Sequence, residues 1–269
     1  MSPIIIVIIL LLLVVIATSL RHKCTVSILE FNIENEGSTI GLDKVIEVIR
    51  LSDADIVAIE EGSSVISTLA KTCGYAYYDV DMQLLSRFPV YRTGNQFRFI
   101  EVAPGNLIVI SNIHLESDPY GPDALRDGAS IEALVDLETR TRLRPLQEKL
   151  QFLPMIRRYP TFIIGDFNTP SHLDRPNVPY PVSKYMQSLG FRDSGRGLGV
   201  AGHTWWANRV KLPGSWNPQP TDIQDRIDYI YVRGPVCMTH YRTIGEHDVS
   251  PWPSDHRAIL AKFTLDPLT

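Results

Sequence analysis

The chain has 269 residues, a formal charge of −4 and a pI near 6.0, with 44% apolar and 21% charged residues. This is ordinary globular composition, with length for one large core or two modest ones. No basic run is long enough to act as a nucleic-acid arm. That weighs against tight sequence-independent DNA binding, which Lys and Arg carry by neutralising phosphates. It leaves room for an enzyme that handles nucleic acid through a metal. Cys24, Cys73 and Cys237 are odd in number and far apart. They match neither a zinc spacing nor a disulfide framework, so buried free thiols are expected.

Residues 4–17 contain no polar side chain, and with Thr18, Ser19 and Leu20 the run is just long enough to cross a bilayer as a helix. Two readings compete for residues 1–20. A secretory signal peptide would have Val15 and Ala17 before its cut, but no Lys or Arg precedes the run. A single-pass membrane anchor agrees with Arg21, His22 and Lys23 directly behind it. The anchor is the favoured expectation, and a protein secreted after cleavage is the alternative.

The remaining residues, 21–269, read as one domain without repeat or linker. Thr25–Ile33 alternates as a strand, and Asp43–Leu51 has helical spacing of Val45, Ile46 and Ile49. Asp55–Ile59 is a second strand, running into Glu60-Glu61-Gly62. Ser63 or Ser64 should cap a helix through Lys71, stopped by Gly74. Gln83–Val90 reads as a strand broken at Pro89, and 97–102 with 106–112 as a hairpin turning at Pro104-Gly105. The second of these runs into His114. Residues 116–140 look polar and irregular, with a turn at Tyr120-Gly121-Pro122. Leu143, Leu146, Leu150, Leu153 and Ile156 mark a long amphipathic helix. The next strand, Tyr159–Ile164, ends in Gly165-Asp166-Phe167-Asn168. Ser183 caps a further helix closed by Gly190. Residues 195–224 look like a long surface loop, in which the Trp205-Trp206 pair most simply serves packing. Strands at 226–232 and 258–263 follow, with Ser254-Asp255-His256-Arg257 before the last.

Polar residues thus recur where strands end: Asn32, Glu61, His114, Asp166, Asn168, Asp228, Asp255 and His256. A carboxylate at the mouth of a buried strand is costly unless paired. Carboxylates, amides and histidines together suit a hard divalent cation and a phosphate. No Cys- or His-rich set points to zinc. Each residue also has a bland reading: Asp255 as a turn cap, His114 as a satisfied buried histidine, Asp228 as a partner of Arg226 or Arg257.

The Gly-Asp-Phe-Asn at 165–168 and Ser-Asp-His-Arg at 254–257, in this order, resemble the endonuclease/exonuclease/phosphatase superfamily, the deoxyribonuclease I-like fold. Asp-Ile-Val-Ala-Ile-Glu-Glu at 55–61 and Arg-Ile-Asp-Tyr-Ile-Tyr at 226–231 support the resemblance. Phe-Asn-Ile at 31–33 and Asn-Ile-His-Leu at 112–115 add less. It spans about 25–264. Residues 120–122 and 170–174 resemble a less characterised branch of that superfamily.

The resemblance implies an α/β four-layer sandwich of two packed mixed β-sheets flanked by helices. It implies Mg²⁺, with Mn²⁺ as an alternative, held by Glu61 with Asn32 and Asp255. Asp166 would activate water, Asn168 would hold a phosphate oxygen, and His256 would stabilise the developing charge. Asp228 would fix the His256 tautomer, and His114 would be a phosphate contact or an acid. Arg140 and Tyr120 would shape the substrate pocket. Where the family commonly has Gln, this chain has Glu60, which by the period of two would face away from the site; pointing in, it would instead add negative charge to the metal site and alter metal affinity. The expected activity is direct attack of activated water on a phosphodiester or phosphomonoester. The substrate would be a lipid, a small molecule or nucleic acid, and no protein partner is implied. The alternatives are a nuclease within the same superfamily and a membrane-tethered module without catalysis.

Overall fold

The computed structural model describes residues 24–197, 199, 202–206 and 224–265. The strands in chain order are β1 (Cys24–Asn32), β2 (Ile56–Glu60), β3 (Tyr77–Asp79), β4 (Leu84–Ser86), β5 (Val90–Arg92), β6 (Arg98–Ala103) and β7 (Asn106–His114). After them come β8 (Thr161–Asp166), β9 (Arg192–Asp193), β10 (Trp205–Trp206), β11 (Gln224–Asp225), β12 (Asp228–Arg233), β13 (Val236–Ile244) and β14 (Ala258–Leu265). One six-stranded sheet has the order β13-β14-β1-β2-β4-β3, and the other β5-β6-β7-β8-β12-β9. β10 and β11 form a separate two-stranded ribbon.

Burial explains the sequence patterns. Strands β2 and β8 are buried at every position, as strands covered on both faces must be, so they read as continuous apolar runs. In β1, Ile28 faces the seam between the sheets, where Ile56, Leu84, Ile110, Phe162, Ile230 and Phe263 meet it. Leu29 and Phe31 face the other way, onto Val45, Ile49 and Leu69 of the helices Leu42–Ser52 and Ile66–Cys73. Behind the second sheet, Ile113, Ile163 and Tyr229 pack on Leu146, Leu150 and Met186. The result is the expected four layers. Each such fully buried apolar side chain contributes roughly 1.5–3 kcal/mol relative to exposure.

The strand directions bring the polar ends together. β1 and β2 are parallel, pairing Asn32 with Glu60, and β7 and β8 are parallel, pairing His114 with Asp166. β12 runs antiparallel to β8, so its first residue, Asp228, lies opposite Asp166. β14 runs antiparallel to β1, so His256, just before it, arrives at the Asn32 end.

Several local expectations are corrected. The 83–90 strand is two strands in different sheets, because Pro89 offers no N–H to a ladder and the chain crosses the seam there. The 116–140 segment is not irregular: it holds helices Gly121–Arg126 and Ile131–Glu138. The second continues through a π-helical turn, Thr139–Leu143, into Arg144–Lys149, and a 3₁₀ turn covers Leu153–Ile156. Helix Ile66–Cys73 has no side-chain cap; the Ser64 N–H is taken by Glu36 instead. β3 and β13 were not foreseen. The three cysteines are unbridged, but none is fully buried: Cys24 and Cys73 are part-buried and Cys237 is exposed.

The membrane placement is also corrected. No helix among the described residues is long and apolar enough to cross a membrane. The run 131–149 carries Glu132, Asp136, Glu138, Arg140, Arg142, Arg144, Glu148 and Lys149, which a bilayer core would exclude. The stretch 1–20, on which both the anchor and the signal peptide rested, lies outside the described residues.

Candidate active site at the strand ends

At the mouth of the seam, Asp166 is the hub. Its Oδ2 accepts from Asn32 Nδ2 at 3.1 Å, and its Oδ1 accepts from the Asn168 backbone N–H at 2.8 Å. His114 Nε2 lies 3.6 Å and His256 Nε2 3.7 Å from Oδ2. His256 is buried, and its Nδ1 reaches the Asp228 oxygens at 3.1 and 3.0 Å. A carboxylate only accepts, so Nδ1 carries the proton and Nε2 faces Asp166. Burial opposes a charged His256, but Asp228 first and Asp166 next outweigh it, holding the imidazole well above its ordinary pKa. Burial, then the Asp228 charge, pushes the Asp166 carboxyl up to about 6, with both histidines pulling the other way.

Glu61 sits on the rim at φ 56°. Its Oε1 accepts from Asn32 Nδ2 at 3.2 Å and its Oε2 from the Asn35 N–H at 2.9 Å. Burial works against its charge. The Asn35 and Asn32 donors, with His114 and His256 beyond them, still keep its carboxyl below the usual range. Asn168, at φ 49°, spends one amide hydrogen on the Leu115 carbonyl at 3.0 Å and keeps a second. Asp255 accepts from Trp205 Nε1 at 3.3 Å and lies 4.0 Å from His256. Non-glycine residues at positive φ cost energy and cluster where function demands them.

Not every expected residue joins. Tyr120 is a wall rather than a contact at the hub. Its hydroxyl donates to Asp225 at 2.9 Å and its ring meets Trp205 edge-on at 5.1 Å. Arg140 is exposed on the π-helical turn and paired with Asp136; no hydrogen bond or ion pair among the described residues ties it to the cluster. Trp205, read as loop packing, instead bridges His256 through its backbone.

Four contributors went unseen. Ser254 Oγ donates to the Asn32 carbonyl at 2.6 Å and accepts from His256 N–H at 3.0 Å, tying β1 to the turn before β14. The Ser-Asp-His-Arg motif contained it without a role. Thr204 Oγ1 accepts from Ile227 and Asp228 N–H at 3.1 and 3.2 Å, and nothing in its loop sequence marked it. Arg142 is fully buried and donates to the Ser117 and Pro119 carbonyls. It thereby fixes the segment that carries Tyr120.

The fourth is Glu60, which does not face away. It is fully buried and points into the seam beside Glu30, also fully buried. Two ionised carboxylates there would have acceptors only. A proton on one supplies the missing donor. Burial foremost raises both carboxyls well above the ordinary value, and the charges of Asp228 and Asp166 add to this. A raised folded pKa gives stability that is complete below the unfolded value and lost as pH rises through the folded one. Glu60→Gln removes one ionisation, so its melting temperature should exceed that of the wild type on the alkaline side, the gap closing near pH 5. Parallel melting curves from pH 5 to 9 would refute a protonated pair.

An ion could be held in two ways. Asp166, Asp228 and His256 offer atoms within 4.8 Å of one another. In that set Asp228 is already hydrogen-bonded to His256 Nδ1, Asp166 lies 3.7 Å from its Nε2, and a protonated imidazole cannot ligate. Glu61 fits better: its carboxylate is ionised and part-exposed, and each oxygen takes one donor, which leaves acceptor capacity. Asn32 turns its Nδ2 toward Glu61, while its Oδ1 accepts from the Glu34 N–H at 3.0 Å; a part-exposed carboxylate oxygen such as those of Glu61 suits a hard cation.

Comparisons with known proteins bear on the family and the fold. Residues 29–256 match the model of the Endonuclease/Exonuclease/phosphatase family, and the chain belongs to that family. It is therefore an enzyme of the class that hydrolyses phosphate esters. Among curated relatives, the Caenorhabditis elegans uncharacterized protein F14F9.5 is 27% identical over 93% of this chain and 94% of its own length. D. rerio TDP2 complexed with single strand DNA product shares the fold, with TM-score 0.60, 16% identity, and coverage of 89% of this chain and 98% of that one. A functionally unknown conserved protein from Enterococcus faecalis V583 gives TM-score 0.59 and 19% identity, covering 88% and 98%.

Proposed function

We propose that the protein is a divalent-metal-dependent phosphodiesterase that cleaves by direct attack of water. The observation that carries this reading is the relay Asn32–Asp166–His256–Asp228, assembled from four strand ends with Glu61 on its rim. Glu61, with Asn32 and Asp255, would hold Mg²⁺ or Mn²⁺, which when bound polarises a phosphoryl oxygen and lowers the pKa of water.

The chain's own residues do the rest. Asp166, ionised and held by two donors, accepts the proton of the attacking water. His256, kept charged by Asp228, donates from Nε2 to a non-bridging phosphate oxygen as charge develops there. Asn168 offers its remaining amide hydrogen to the same group. His114, the exposed member at the end of β7, returns a proton to the leaving oxygen as the P–O ester bond breaks. Tyr120 walls the pocket through Trp205.

Since a structure of this fold carries a single strand DNA product, a nucleic-acid phosphodiester is the first substrate to test. The full chain would be assayed with single-stranded DNA, bis-p-nitrophenyl phosphate, p-nitrophenyl phosphate and sphingomyelin, with Mg²⁺ and with EDTA. Turnover of the diesters that EDTA abolishes supports the reading. Turnover of the monoester alone, or turnover indifferent to EDTA, defeats it.

A further inference from the structure

The loop after β1 has an unusual backbone. Glu34, Asn35, Glu36 and Gly37 all have positive φ, at 51°, 49°, 61° and 67°. L-residues adopt this region reluctantly, so something must hold three of them there in succession. Gly37 explains part of it: a Cβ would stand 3.0 Å from Val45 Cγ2 and 3.1 Å from Leu42 Cδ1, so the loop is pressed onto helix Leu42–Ser52. The rest is explained by what the loop encloses. The Asn35 N–H reaches Glu61 Oε2 at 2.9 Å, and the Glu36 N–H reaches the Glu61 carbonyl at 2.7 Å. The Glu36 carboxylate then accepts from Ser63 Oγ at 3.2 Å and from Ser64 N–H at 3.1 Å, just beyond Glu61. Asn32 closes the ring by donating to Glu61 Oε1.

We propose that residues 35–36 form a collar that positions Glu61 to receive its cation, with Glu36 as the clasp between the loops after β1 and β2. Glu36 is a positioning residue: it touches neither substrate nor the relay, and acts by holding the backbone that orients Glu61. The collar rests on the reading of Glu61 as the cation's principal ligand. Partners that orient a metal ligand typically set metal affinity by about 10–100-fold. Nothing in the packing makes Glu36 a core residue, since it is only part-buried.

The test is Mn²⁺ binding, followed by paramagnetic resonance of the free ion, on the full chain and two variants. Glu36→Ala should weaken Mn²⁺ binding about tenfold or more while the far-ultraviolet spectrum and melting transition remain native. Glu36→Gln, whose amide oxygen can still accept from Ser63 and Ser64, should recover most of the affinity. A purely structural role would lower melting temperature without this order of affinities. Mn²⁺ uptake by Glu36→Ala within twofold of wild type overturns the collar alone. Absence of uptake by the wild type overturns the metal reading and the collar with it.

Discussion

An Asp166→Asn enzyme is expected to lose about 10²–10⁴-fold in kcat, the usual contribution of a positioned general base. The amide still accepts the Asn168 N–H through one oxygen, so the turn survives. Its other end, however, becomes an NH₂ facing the Asn32 NH₂, where the wild type has an acceptor 3.1 Å away. Neither group can accept the water proton. The pH profile gives a second readout. Asp166 must be ionised to act, and burial with the Asp228 charge places its pKa at about 6, so wild-type activity should fall as pH drops through that region. A bound cation would shift this limb to lower pH, never higher. Steady-state rates from pH 4.5 to 8 check both points. An Asp166→Asn rate within tenfold of wild type, or an acid limb well above pH 6, would remove Asp166 from the role of base.

Gly165→Ala is expected to prevent folding, or to lower stability by about 4 kcal/mol or more, the range reserved for severe mechanisms. Gly165 lies in β8 at φ 129°, which L side chains rarely adopt. An added Cβ would stand 2.0 Å from the Ile113 carbonyl oxygen, a backbone atom of the parallel neighbour that cannot move aside. It would also come within 2.9 Å of Glu60 Oε1 and Asn112 Oδ1, beneath the site. Soluble expression and thermal melting of the variant decide this; a wild-type melting temperature would show that β7 and β8 can part enough to admit the Cβ.

Gly165 also shows why so much of the site could be read in advance. A glycine, an acid and an amide within four residues at the end of an apolar run read equally well as a plain turn, and it is the other polar strand ends in the chain that tip the balance. The same holds for Asp255 and His256 before the last strand. Part of what stayed hidden has one physical cause: sequence pattern assumes that charge faces water. Glu138 and Arg142 are fully buried, so the helix through 131–149 showed a polar segment where an apolar stripe was sought. β13 is an edge strand whose burial alternates poorly, and Cys-Met-Thr-His-Tyr-Arg-Thr has no period of two to show. The Glu60 expectation failed one residue on. The period held through Ile56, Ala58 and Glu60, and it was Glu61, at φ 56°, that turned back toward Asn32 and broke the alternation. Trp205 was misplaced because its neighbour in space, His256, is far along the chain.

That last point has a kinetic side. The bond from Ser254 to Asn32 spans 222 residues of sequence, and that from Asn32 to Asp166 spans 134. Contacts so distant must wait for loop closure, and such topologies fold slowly. Asn32 lies on one sheet with His256 just before its strand β14, and Asp166 lies on the other sheet. The site therefore exists only where the two sheets have docked. A cation that binds it selects the finished molecule over every partly ordered form, and so acts as a ligand of the native state by mass action. A nascent chain, in consequence, has no catalytic cluster until His256 has been made and β14 has paired with β1.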